Sequence, residues 1–155
     1  MADAPKGRLI GAILLGGLVA GTVDVGAASL IFHAGPDKVL RAIASGLIGK
    51  AAKQGGYEIL ALGLVLQWAM SIVIAAIYDL AALRLPTLAR QWLLWGLAYG
   101  VGVYAVMTYV VVPLSQAAKL STPPPLLVQG ENVAAMLVFG LIVAFFARRL
   151  APSNA

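Results

Sequence analysis

The sequence predicts an all-α integral membrane protein, with four transmembrane helices and one interfacial amphipathic helix. Three observations carry that prediction. Only 11 % of the 155 residues are charged and 61 % are hydrophobic, whereas a water-soluble domain of this size carries about 25 % charged residues. Four separate runs are long enough to cross a bilayer, which takes about 20 mostly apolar residues. A fifth segment keeps its apolar residues on one helical face but is too short and too charged to cross. Residues 1–155 therefore read as a single transmembrane domain with short connections. There is no cysteine and one histidine. That excludes disulfides, thiolate metal sites and cysteine nucleophiles, together with most zinc and triad chemistry. No catalytic residue, metal or cofactor is expected.

The first helix is expected over residues 9–32, with one charge, Asp24. Lys6 and Arg8 ahead of it also fit a secretory signal cleaved after Ala28; the long apolar run and its aspartate favour a span. The second is expected over 59–80, built on the uncharged stretch 59–78 between Glu58 and Asp79. The third, over 92–112, is uncharged and should stop at Pro113. The fourth, over 126–147, is weaker, because Gln129, Glu131 and Asn132 fall in its first turns. Pro86 sits in a tight connection that should make the second and third spans antiparallel neighbours. The run Ser121-Thr122-Pro123-Pro124-Pro125 cannot be helical and favours extended chain.

The connection after the first span holds the amphipathic helix, expected over 37–53. Gly35-Pro36-Asp37 breaks the chain and places proline at the first helical turn. Val39, Leu40, Ile43, Ala44, Leu47, Ile48 and Ala51 share one half-circle; Lys38, Arg41, Ser45 and Lys53 share the other. Lys38, Arg41 and Lys53 are candidates for contact with anionic lipid headgroups. A helix that merely caps the bundle would show the same pattern.

Asp24 is the most informative residue. An aspartate deep in a span costs about 2.5–3.5 kcal/mol and needs a partner, water or a proton. Gly17, Gly21, Asp24 and Ala28 lie along one narrow arc, and the spacing of Gly17 and Gly21 lets another backbone approach closely. The carboxyl should therefore face protein. Two readings stand: a protonatable or ion-binding site, or a carboxyl hydrogen-bonded across a packed interface. On the second span, Gly63, Gln67, Ser71 and Tyr78 form a stripe, with Gln67 nearest mid-depth. On the third, Gly96, Gly100, Val103 and Met107 form another, and Trp92 and Trp95 suit an aromatic belt. Alternation of the spans puts His33, Glu58 and Glu131 at one membrane surface, as a proton-relaying mouth or as ordinary interfacial residues. Asp79, at the other surface, should pair with Arg84.

Several motifs fail. Residues 46–50 resemble part of a phosphate loop, but Ala44 and Ala51 stand where a glycine and a magnesium-binding hydroxyl belong. No zinc-protease or nucleophile-elbow motif occurs. The isoelectric point near 9.8 rests on few charges beside the membrane, which suits anionic lipid and not nucleic acid.

Three segments together, Gly16-Gly17-Leu18-Val19-Ala20-Gly21-Thr22-Val23-Asp24, Ile43-Ala44-Ser45-Gly46-Leu47-Ile48-Gly49 and Tyr109-Val110-Val111-Val112-Pro113-Leu114-Ser115, resemble the YagU-like group of small bacterial inner-membrane proteins. The resemblance spans about residues 9–149. It implies a multi-pass bacterial inner-membrane protein and no particular activity. The group's pattern has a histidine near Gln67, an asparagine at Thr108 and a histidine near Glu131. This sequence departs at all three, so a polar site built from those groups would be altered here.

The basic residues divide almost evenly between the two surfaces; those of the terminal side hug the helix ends, so both termini are expected in the cytoplasm. The function expected first is non-enzymatic: an accessory or oligomer-forming subunit acting by helix packing, as a homo-oligomer or within a membrane complex. The alternative is a small transporter or proton-coupled permease with Asp24 as its acid and Gln67, Glu58 and Glu131 along the route.

Overall fold

A computed structural model of the chain describes residues 6–117, 119 and 122–151. Ser121, at the head of the proline run, and the two chain ends of the predicted domain lie outside the described residues. The described residues are mostly helical, form no strand, and include four helices long and apolar enough to span a membrane. In chain order these elements are α1 (Lys6–Ile31), α2 (Pro36–Ile48) with a 3-10 turn at Gly49–Lys53, α3 (Tyr57–Arg84), the short α4 (Pro86–Arg90), α5 (Trp92–Val106), a π turn (Met107–Val111), α6 (Val112–Leu114) and α7 (Leu126–Ala147), closed by a 3-10 turn at Arg148–Leu150. Large apolar side chains such as Leu30, Val65, Leu94 and Leu126 stand exposed along the spans, as a lipid-facing surface requires and a water-facing one does not tolerate in such number.

Small residues decide which spans touch. α7 packs on both α1 and α5, and α1 packs in turn on α3. A Cβ added at Gly17 would lie 2.7 Å from Ile72 Cα, and one at Gly21 would strike Ser71. Side chains at Gly100 and Gly140 would each run into the other helix's backbone. Around this seam Ala20, Ala75, Phe139, Val143, Ala144 and Ala147 are buried. The order around the bundle is therefore α3, α1, α7, α5, and it does not close. The expected neighbours, the second and third spans, diverge after their connection. α4 spaces them, and Tyr78 and Tyr99, with ring centroids 5.0 Å apart, bridge them near the terminal end.

Two further expectations are corrected. Helix continues through Pro113 to Leu114 instead of stopping there. A proline inside a helix removes one N–H and its ring crowds the carbonyl four residues back; the widened π turn just before it accommodates both. α2 ends at Ile48, and Gly49, at φ +62°, turns the chain into the 3-10 segment. α2 does not float free. Its Leu40 backbone seats against Gly63 of α3, where a side chain would not fit, and Ala44 is completely buried.

Candidate functional site: an acid-floored cleft in the membrane

The gap between α3 and α5 is a cleft of about 270 Å³. Asp24 of α1 and Asn132 of α7 line it from behind; Gln67 and Ser71 of α3 and Thr108 of the π turn line its sides. Asp24 lies seven residues from the end of α1, roughly 10 Å along the helix at 1.5 Å per residue. Its Oδ2 accepts a hydrogen bond from Gln67 Nε2 at 2.8 Å. The same amide reaches Gly21 O at 3.3 Å, a contact that depends on the close approach Gly21 permits. Ser71 Oγ donates to Gln67 O at 2.8 Å and stiffens this turn of α3. Trp68 Nε1 donates to Thr22 Oγ1 at 3.1 Å on the outer side of the same pair of helices.

The remaining polar residues share one orientation of chemistry. Gln129 donates its amide to Pro124 O at 2.7 Å, and Asn132 donates to Val128 O at 3.0 Å. Gln67 thus commits both N–H donors to the protein, while Gln129 and Asn132 each commit one and keep their amide oxygens for a solute. Asp24 is the one charged residue lining the cleft. Met70, Met107, Met136, Tyr104 and Phe139 supply the rest of the wall, polarizable and aromatic surface that favours a cation over an anion. The cleft is a pocket at membrane depth with a single acidic group and a largely apolar, polarizable wall.

At the end away from the chain termini the cleft meets a larger apolar groove of about 520 Å³ beneath α2. The two share Gln67, Met70 and Met107, and Lys38 and Ala28 line the groove. Toward the terminal end, Ile74 is the last cleft residue on α3. Its carbonyl accepts from Tyr99 Oη at 2.7 Å, so the tyrosine pair shuts that side.

His33, Glu58 and Glu131 are all exposed, and no hydrogen bond among the described residues joins any two of them. His33 ends α1 with φ +48°, and Glu58 turns back to accept from Gly56 N at 2.9 Å. Arg41, expected at the headgroups, is half-buried and bonded within the chain. Its Nη1 is drawn inward to Ala52 O at 3.3 Å and to Gly55 O, clasping the end of the 3-10 turn, because carbonyls left open at a helix end attract a cation. Lys38 and Lys53 remain exposed. Asp79 does not pair with the exposed Arg84; it is fully buried. Gly96 and Gly100 pack, as a face, on α7, where their counterpart Gly140 was not singled out. Its spacing of four from Met136 and Ala144, on one helix face, is the signal that would have found it. Among the described residues no cluster of histidine, aspartate and glutamate could hold a metal.

No family model, no curated protein and no solved structure matches this chain. The reading of the cleft rests on its own chemistry.

Proposed function

We propose that the protein is a small non-enzymatic permease whose cleft binds a compact organic cation of the amine or guanidine type, with Asp24 as the binding acid. One observation carries the reading. An intramembrane carboxylate, steadied by Gln67, is the one charged group on a cleft otherwise walled by methionine, aromatic and neutral polar side chains. Intramembrane acids are costly to insert and commonly line substrate and ion pathways. The glycine stripes that would support an accessory or oligomer-forming subunit are occupied within the chain. In a bacterial inner membrane, as the YagU-like resemblance implies, and with both termini in the cytoplasm, as the basic residues at the helix ends favour, the open end of the cleft faces outward. Lys38 and Lys53 then meet anionic headgroups on that face.

The test is uptake of radiolabelled methylammonium and guanidinium into proteoliposomes. Saturable uptake is expected, reduced about tenfold or more in Asp24→Asn, since a hydrogen bond to a charged group contributes roughly 1.5–3 kcal/mol and 1.4 kcal/mol is tenfold. Equal uptake by wild type and Asp24→Asn, or none by folded wild type, would overturn the reading.

A further inference from the structure

α3 carries a second acid that the cleft does not use. Asp79 has 0 % exposure, and neither of its carboxylate oxygens has a hydrogen-bond partner; no other buried side-chain polar atom among the described residues is in that state. The groups nearby that could answer it are turned elsewhere. Tyr78 Oη donates to Leu88 O at 2.9 Å and Tyr99 Oη to Ile74 O at 2.7 Å. Arg148 lies over the rings of Trp92 and Phe145, and Arg149 lies over Phe146. Lys6 and Arg8 of α1, Arg84 of α3 and Arg90 of α4 are exposed at that end of the bundle. Ala82, Ala89 and Leu150 are buried there.

A bare carboxylate in such surroundings is among the costliest groups a fold can hold, and such a group neutralises. Neither the cleft nor the groove reaches Asp79. A metal ion or an organic cation would need room for itself and its other ligands. A proton needs none. We infer that Asp79 is a proton-binding site, carrying one proton on a carboxyl oxygen while the tyrosine pair is closed.

Its place gives that proton a use. Along α3, Tyr78 separates Asp79 from Ile74, the last cleft residue on that helix. The two intramembrane acids therefore lie on opposite sides of one aromatic pair, the half-buried Asp24 toward the open end and the buried Asp79 toward the terminal end. Parting of the tyrosines would let Asp79 exchange its proton with the terminal face. That coupling step rests on the permease reading; the proton site itself does not.

The decisive measurement is infrared spectroscopy of the full chain in lipid nanodiscs at neutral pH. A carbonyl stretch from a protonated carboxyl is expected in wild type, retained in Asp24→Asn and lost in Asp79→Asn. Should Asp79→Asn not accumulate, Asp79→Glu must shift that band. Thermal unfolding in detergent gives a second readout. The folded chain holds a proton that the unfolded chain releases, so raising the pH favours unfolding; wild type loses stability more steeply than Asp79→Asn as the pH rises from the ordinary carboxyl range to neutral. A neutral-pH spectrum unchanged by either substitution at residue 79, or identical profiles between acid and neutral pH, overturns the inference. Failure of cation uptake leaves both measurements untouched, so the two readings fail separately.

Discussion

α5 is bounded by two kinds of contact, and their difference explains how so small a bundle holds a cleft. On one side Gly96 and Gly100 meet Gly140 of α7, and the two backbones touch. On the other side Tyr99 meets Tyr78 of α3, and the backbones stand apart. Between lipid-embedded helices there is no hydrophobic drive to associate, so side-chain size sets the distance. Glycine makes a seam; tyrosine makes a prop. The cleft exists because both sit on one helix.

The seam is the part most easily broken. Gly100→Leu forces a branched side chain into Met136 and Leu137 of the facing backbone, which cannot yield as a flexible side chain would. Overpacking of a close-packed interior costs about 1–3 kcal/mol and more where backbone must move; about 3 kcal/mol or more is expected here. Titration with SDS from mixed micelles, followed by tryptophan fluorescence, measures it. An unchanged midpoint would mean that α5 and α7 are not in backbone contact, and the contrast with α3 would disappear.

The prop should respond less. Tyr99→Phe keeps the ring that spaces α3 from α5 and removes the hydroxyl that pins Ile74 O. A buried hydrogen bond is worth about 1 kcal/mol net, and between membrane helices about 0.6 kcal/mol on average. A loss of about 1 kcal/mol or less is expected in the same titration, with the cleft still open. If Tyr99→Phe instead costs as much as Gly100→Leu, the hydroxyl and not the ring holds the spans in place.

Much of this was legible in the chain. Hydropathy located all four spans because each is an unbroken apolar run, and the arc through Gly17, Gly21 and Asp24 pointed the carboxyl at protein, where Gln67 Nε2 lies 2.8 Å away. What escaped depends on how elements close on one another. A short link implies adjacency only if it is a simple turn, and the link before α5 contains a helix of its own. Asp79 looks superficial because it lies one turn from Arg84 at the edge of an apolar run. Its burial is the work of distant residues: Ala89 and Leu150 are buried at that end of the bundle, and no periodicity in α3 encodes them. Arg41 read as a headgroup contact because helical phase cannot show that Gly55 O comes within its reach.

The sharpest control is also the smallest effect. Gly102 lies on α5 only two residues beyond Gly100, yet it is exposed and a Cβ there meets nothing within 4 Å. Gly102→Ala therefore adds no overlap. Alanine is the better helix former by about 0.8–1 kcal/mol in water, an advantage that comes partly from the unfolded chain and shrinks where SDS keeps that chain helical. The expected result is a midpoint that stays or rises, by under about 0.5 kcal/mol, the range of ordinary surface substitutions. Were Gly102→Ala to destabilise as Gly100→Leu does, the exposed face of α5 would be packed against something outside this chain. The glycines of α5 would then act on both sides of the helix, and the division between seam and prop would no longer describe it.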